Sequence, residues 1–506
     1  MKEIFSYDAR LAAFKELIKK IEYLKYTLNS LVYWDKITYM PPKGIEYRTS
    51  VMSFLADEQY KLISGKEFAE NVRYFRDNKK NDRVTDAMVR RICRNSKYIS
   101  KVPEGEYRRY VELIARSEQI WETARKEKDF GVFKGHLEQI IDIFREFANY
   151  WGPSETPYDA LLGYYEDGLT VAKVDEIVSE LKPFLIDMIE QIKEAGELNK
   201  EPLLVPGVGR TGQEKLWTKI LSRLGFSFEA GRIDVGAHPT ILANSPADVR
   251  IVNSYREDEL KPGIFNVLHS GGKGIYQQSI DEDLLGTFLA EPSSFAMEES
   301  IGRFYENIIG RSRGFWEYFY DDLCRTAPQM KKYTSQEIYR DANRVRPSLI
   351  RIEADELTYL LHIIIRYELE KDLINGSLSV EELKDAWEDK YKEYLGVVPG
   401  DDSQGILQDI HWAGGYVGYF PSYFVSNLAA AQIAAAIEKD CGSLDKLAAE
   451  GNFAVIKEWL TEHIFRFGAM YGTEELIEKA TGKPLGSADY ISCLRKKFSE
   501  VYKLHY

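Results

Sequence analysis

The chain has 506 residues and a formal net charge of -13, with 67 Lys+Arg against 80 Asp+Glu. That shortage of basic groups excludes a surface built to neutralise nucleic-acid phosphates, and no run of about eighteen apolar residues is present to cross a bilayer. The length admits two to four domains or one large helical body without choosing between them.

Cys93, Cys324, Cys441 and Cys493 lie far apart with no C-x-x-C pair, which suits a reducing cytosol and excludes a cysteine-bound metal or a disulfide framework. The start, M-K-E-I-F-S-Y-D-A-R-L-A-A-F-K-E-L-I-K-K, is amphipathic and charged, without the apolar core of a secretory signal. A cytoplasmic protein is expected.

From Tyr7 to about Lys128 apolar residues recur at intervals of three and four, as in Leu11, Phe14, Leu17, Ile18, Ile21 and Leu24, which predicts successive helices. Pro41, Pro42 and Gly44 force a turn among them. The basic group Lys79, Lys80, Arg83, Arg90, Arg91 and Arg94 reads as a solvated helical face. Trp151 to Asp159 is a second punctuation, taken as a loop within one body because no polar low-complexity linker accompanies it. A helix then starts at Thr170 and runs to about Glu197, with Val174, Ile177, Leu181, Leu185 and Ile189 on one stripe. Between Arg232 and Phe265 β-branched residues gather in Ile233-Asp234-Val235 and Asp248 to Val252, predicting the only strands, one small antiparallel sheet.

The next stretch, Phe265 to Gln278, reads F-N-V-L-H-S-G-G-K-G-I-Y-Q-Q and has the frame of the zinc-peptidase helix H-E-x-x-H with only its first histidine. On a helix, i and i+4 share a face, so in that motif two imidazoles hold one zinc while the glutamate acts as general base. Here His269 and Lys273 occupy that face and Ser270 stands at the base position. A lysine must lose its proton before its nitrogen can ligate, at about 4.6 kcal/mol near neutral pH, and a hydroxyl cannot take a proton from water as a carboxylate does. Taken alone, H-x-x-x-K is most simply a helix with a core histidine. Beyond it, Ser294 to Leu323 reads as one helix, and the remainder is helical except for the glycine-rich loop from Gly414 to Tyr423.

Further residues change the weight of that frame. They are Trp34-Asp35 with Thr38 and Met40-Pro41; Pro157-Tyr158-Asp159 with Leu161-Leu162; His238-Pro239; Asp248-Val249-Arg250; Gly310-Arg311-Ser312; Ile350-Arg351 with Ala354-Asp355; and Gly405 with Gln408-Asp409 and His411-Trp412. With these the chain resembles, nearly end to end, the thermostable carboxypeptidase Taq-type metallocarboxypeptidases. Those enzymes remove residues from peptide C-termini with one zinc held by H-E-x-x-H and a downstream glutamate. The resemblance implies a mainly α, zincin-like, neurolysin-type fold. It would be a single domain over residues 1–506, an elongated two-lobed helical body around a deep central groove lined by the small antiparallel sheet, and a homodimer.

Counted back from Gly310-Arg311-Ser312, the resemblance places the third metal ligand at Glu299 in Glu298-Glu299-Ser300-Ile301, with Glu298 where the family has histidine. His269 and Glu299 are then retained, Lys273 stands at the lost ligand position, and two protein ligands of three make a poor zinc site. Lys273 is expected to extend its ammonium to Glu299, since buried charges must be paired. Other departures are Thr240 in the family's H-P-F and Val252 in its D-x-R-x-T. Gly271 and Gly274 join the family's Gly272, each extra glycine weakening a helix by about 1 kcal/mol relative to alanine.

For peptide binding, the resemblance implies that Arg351 meets the terminal carboxylate, a task for which a planar two-pronged donor is suited. His238, Asp248, Arg250, His411 and Tyr423 would make further peptide contacts. Read without the resemblance, Arg351 pairs with Asp355 at i+4, His411 and Tyr423 pack in an aromatic loop, and His362 is a core histidine. His136, His463 and His505 carry no recognisable context.

The leading expectation is a catalytically silent peptidase relative, with no cofactor, that binds peptides with a free C-terminus and neither nucleic acid nor membrane. The first alternative is an active carboxypeptidase using zinc or another divalent metal and a recruited ligand such as Glu298 or His411, the former disfavoured because adjacent residues do not share a helical face. The second is a structural dimer partner of an active relative.

Overall fold

The computed structural model describes residues 6–504 except 79, 197, 199–200, 205–206, 237–239 and 258. Helices dominate, and their apolar stripes are what is buried: Phe14, Leu17, Ile18 and Ile21 in Tyr7–Tyr26, and Val174, Leu181, Leu185 and Ile189 in Val171–Ala195. The second of these starts where the Thr170 hydroxyl accepts the Lys173 N–H and stops at Gly196, whose φ of 86° is the left-handed conformation glycine adopts freely. Its expected last residue, Glu197, lies outside the described residues. The punctuation at 151–159 itself holds a helix start, because Thr156 and Asp159 form a reciprocal capping box for Pro157–Tyr165.

The described residues group into two compact units, residues 1–95, 203–339 and 433–483, and residues 96–202, 340–432 and 484–506. The first holds the sheet, formed by β1 (Gly231–Val235), β2 (Thr240–Ser245) and β3 (Asp248–Asn253), in the order β1-β3-β2. It is mixed rather than antiparallel: β3 pairs antiparallel with β2 and parallel with β1, with Ile251 opposite both Ile233 and Ile241. The physical reason is β2. It carries the chain back along the far side of β3, so β1 and β3 run the same way, yet its six residues are all half-buried and show no alternation. The helix Lys261–Gln278, hereafter the site helix, packs on β2 and β3.

The predicted single helix from Ser294 to Leu323 is two helices with a π-turn. The facing helix Phe295–Arg303 widens into a π-helical turn over Phe304–Ile309, and a new helix, Arg313–Thr326, begins at the N-cap Ser312. The break lets Gly310 approach the side chain of Leu268 on the site helix. The basic face near residue 90 is less solvated than expected. Arg91 turns inward onto Glu291 and the Ser293 carbonyl, and Arg90 donates to the Met470 carbonyl; Lys79 lies outside the described residues.

The second unit is built around the helix Glu356–Asn375, buried along nearly its whole length. Gly131–Trp151, Val171–Ala195 and Leu383–Leu395 pack against it. No helix among the described residues is long and apolar enough to cross a membrane.

Candidate functional site

The glycines of the site helix are contact points, a role the propensity argument did not foresee. A Cβ on Gly272 would lie 2.6 Å from Tyr305 Cδ2 and 2.9 Å from the Ile301 carbonyl, and one on Gly274 would lie 2.8 Å from Phe226 Cε2. Gly271 meets Leu221 still more closely. Three small residues thus set the site helix against the helix Arg210–Leu224 with the Phe226 that follows it, and against the facing helix, and whatever helix propensity they lose is offset by close packing. Gly302 does the same from the other side, because a Cβ there would fall 2.8 Å from the His269 ring.

Between these two helices lies a cluster of charges. Lys273 Nζ donates to Glu299 Oε2 at 2.6 Å, and Arg303 Nε donates to Glu299 Oε1 at 3.1 Å. His269 Nε2 lies 3.2 Å from that same Oε2, and its Nδ1 lies 3.0 Å from Glu306 Oε2. Arg303 also reaches Glu306, at 3.3 Å, and Arg311 stands 3.8 Å from its other oxygen. Lys273 and Glu299 keep 12% and 4% of their side-chain surface, so the pair is dry. Burial works against the charges of Lys273, Glu299 and Glu306, and their partners outweigh it. Lys273, then His269 and Arg303, hold the Glu299 carboxyl well below the usual range; Glu306 is held at about 2 by Arg303 and His269; and Glu299 and Glu298 keep the Lys273 ammonium above its ordinary pKa.

These residues fit a divalent metal poorly. His269 Nε2 and Glu299 Oε2 supply two donors, and the position that would complete them carries a protonated amine aimed at one of those two. Among the described residues no group of three His, Cys, Asp or Glu side chains converges as a metal cage. Glu298 is no replacement. It lies half-buried on a different face from Glu299 and accepts from Gln277 Nε2 at 2.7 Å. Ser270 and Lys273 have the S-x-x-K spacing of serine acyl-transfer enzymes, but a lysine committed as ammonium to Glu299 cannot act as the base for a serine.

In the second unit, Arg351 does not pair with Asp355 as its spacing suggested. Asp355 caps the following helix by accepting from the Leu357 and Thr358 N–H groups. Arg351 instead forks onto Asp409, Nε to Oδ2 at 3.0 Å and Nη2 to Oδ1 at 2.9 Å, and Arg366 Nη2 reaches the same Oδ2 at 2.5 Å. Two buried guanidinium groups therefore share one carboxylate, which leaves a positive charge in excess. Arg351 also lies over the rings of Phe420 and Tyr423, 5.5 and 5.8 Å from their centroids. His411 stacks on Tyr419 at 5.6 Å, and its buried Nδ1 has no hydrogen-bond partner. Burial first, and then Arg351 and Arg366, push its pKa down to about 4 against the opposing pull of Asp409. His362 is a core histidine, fully buried with Nδ1 2.9 Å from the Tyr391 hydroxyl.

The remaining expected peptide contacts are differently placed. Arg250 Nε and Nη2 fork onto Asp248 at 2.8 and 2.9 Å, so these two are spent largely on each other, and Tyr26 and Asn244 also donate to Asp248. His238 and His505 lie outside the described residues. Sequence reasoning missed Arg303, Glu306, Arg366 and Asp409. Arg303 was within reach, being at i+4 from Glu299 on the same helical face; Glu306 comes into place only through the π-turn, and Arg366 meets Asp409 only in the folded chain.

Residues 13–498 match the carboxypeptidase Taq (M32) metallopeptidase family. The chain is 37% identical over 507 residues to carboxypeptidase 1 of Bacillus subtilis (strain 168), covering 99% of this chain and 100% of that protein. It is 33% identical to thermostable carboxypeptidase 1 of Thermus thermophilus over 506 residues, 97% of this chain and 99% of that one. Among solved structures, the M32 carboxypeptidase from Deinococcus radiodurans R1 superposes with a TM-score of 0.94 at 30% identity, over 98% of this chain and 100% of that chain.

Proposed function

The chain belongs to the carboxypeptidase Taq (M32) metallopeptidase family, and from that premise we propose that it is a member that binds peptides with a free C-terminus without hydrolysing them through a metal. One observation carries the reading: the Lys273 ammonium bonds the Glu299 oxygen that faces His269, where a metal would have to sit. In the family's chemistry the metal supplies an activated water and polarises the scissile carbonyl, and a carboxylate takes the proton. This chain has Ser270 in place of that carboxylate and its own cation in place of that metal.

The affinity for peptides rests on the second unit. Arg351 and Arg366 share Asp409, so an incoming carboxylate would balance an existing charge rather than bury a new one. It would have to share Arg351 with Asp409, and His411 lies beside that pair with an unpaired ring nitrogen.

Family membership favours the competing reading, a working metallocarboxypeptidase, and one experiment separates the two. Protein purified without chelator is analysed for metal and assayed on N-blocked dipeptides with zinc or cobalt added. The proposal expects neither stoichiometric metal nor turnover; both together would refute it. Calorimetry with free-acid and C-terminally amidated peptides tests the binding half, which expects the acids to bind tighter.

A further inference from the structure

Glu370 adds a fourth charged group to Arg351, Arg366 and Asp409, and all four lie in the second unit. It is fully buried and follows Arg366 by one turn on the helix Glu356–Asn375, so the two share a face. Its carboxyl accepts from the Tyr158 hydroxyl and from two points of the loop that carries His411 and Tyr423, namely Trp412 Nε1 and the Gly418 N–H. All three donors are neutral. Arg351 and Arg366 are positive and Asp409 is negative, so the set is balanced when Glu370 is ionised and one positive charge in excess when it is protonated. A peptide carboxylate at Arg351 therefore completes a balanced set only with protonated Glu370, and buried charges are stable when balanced.

We propose that Glu370 is the internal counter-ion of the peptide site, and that a bound C-terminal carboxylate displaces it from that role by making it take up a proton from solvent. Ionised Glu370, a proton and a free carboxylate become protonated Glu370 and a bound carboxylate, and no contact between Glu370 and the peptide is required. The proposal rests on the peptide-binding reading above and adds its regulation by pH. Glu370 is poised for the exchange: burial, opposed by its three donors and by Arg366, pushes its pKa up to about 7. Its neighbours do not titrate there. Burial keeps Tyr158 and Tyr165, on the helix Pro157–Tyr165, and Tyr391, bonded to Arg366, above the usual phenol range. Burial holds His411 neutral at about 4, and Asp409, despite burial, is kept ionised by Arg366 and Arg351. On the other helices packed here, Asp175 accepts from Tyr367 and Lys371, Lys390 donates to Glu368, and Arg145 donates to the Leu373 carbonyl.

The test is calorimetry of the full chain with N-acetyl-dialanine at pH 7.5 in phosphate and in Tris, whose different ionisation enthalpies reveal the protons exchanged. For a coupling of about tenfold, the wild type is expected to take up about 0.5 proton per peptide, and its affinity to fall roughly eightfold from pH 6 to pH 9, because the complex holds more protons than the free protein. Glu370→Gln cannot titrate and should show neither effect. Trp412→Phe removes one donor from Glu370, so the fall in affinity should move up by about one pH unit. Near-UV circular dichroism checks that each variant is folded, and where Glu370→Gln is not, Trp412→Phe decides. Wild type that takes up no proton, affinity that rises with pH, uptake that persists in Glu370→Gln, or a profile unmoved by Trp412→Phe overturns the proposal. If no peptide binds, the peptide-binding reading fails, and benzoate in the same two buffers decides the counter-ion. Uptake by wild type but not by Glu370→Gln then supports the proposal; benzoate bound without uptake, or not bound, overturns it.

Discussion

A buried lysine is expensive unless a carboxylate meets it, and removing either partner leaves the other as an uncompensated charge, at about 3–5 kcal/mol when nothing else helps. Glu299 keeps Arg303 and His269 when Lys273 is gone, so Lys273→Met should cost nearer the lower figure, about 3 kcal/mol in urea denaturation. A single variant as stable as wild type would mean that the pair is not dry. Glu370 is the converse case at this scale, a buried carboxyl that accepts from the Tyr158 hydroxyl, Trp412 Nε1 and the Gly418 N–H at 2.6, 2.7 and 2.8 Å. Burial outweighs those donors and the pull of Arg366, and its pKa rises to about 7. Between the unfolded value of about 4.3 and that folded value, the native state holds a proton the unfolded chain has lost, so stability falls as pH rises through this window. Glu370→Gln cannot titrate. Its stability relative to wild type should therefore improve between pH 5 and pH 8, by an amount on the order of 1 to 3 kcal/mol, and a constant difference across that range would show that Glu370 stays ionised.

At the scale of elements, the site helix is held by its small residues. Gly272→Ala should be destabilising although alanine is the better helix former, because its Cβ would press on the Ile301 carbonyl as well as on Tyr305. Overpacking of this kind costs about 1–3 kcal/mol, against a gain of about 1 kcal/mol in helix propensity. Equilibrium denaturation decides the sign, and a stabilised variant would mean that the two helices can part. The same element shows what could be read without coordinates. The 3.6-residue period and the H-x-x-x-K face are local, so the helix and the sharing of one face by His269 and Lys273 were legible. The parallel pairing of β1 with β3 was not, because it depends on β2, whose residues do not alternate in burial. The break at residues 310–312 carried local signals, a glycine and an N-cap serine, but the apolar period runs through it and outweighed them. Read by spacing alone, Arg351 pairs with Asp355 four residues on, whereas in the fold it meets Asp409, 58 residues away, a partner no local pattern points to.

On the scale of the whole molecule, the proposed reading turns on whether the donors around Lys273 could still hold a metal. Lys273 takes Oε2 of Glu299, the oxygen facing His269 Nε2, while Arg303 holds Oε1. Withdrawing the lysine would therefore free the one oxygen that a metal would share with His269. His269 is already oriented through Nδ1 by Glu306, the outer carboxylate that a metal-ligating histidine commonly has. Ser270→Glu together with Lys273→His should then bind zinc, with the three protein ligands of a hydrolytic site and a base beside them. A ligand that binds only the folded state stabilises it by RT ln(1 + [L]/Kd), about 2.7 kcal/mol at a hundredfold excess over Kd. Urea denaturation of the double variant should shift upward with added zinc and return on chelation, whereas wild-type curves should coincide under all three conditions. The contrast does not depend on recovered turnover. A zinc-dependent shift in the wild type would place a metal where the lysine stands, and a double variant indifferent to zinc would mean that the remaining donors no longer form the frame of a site.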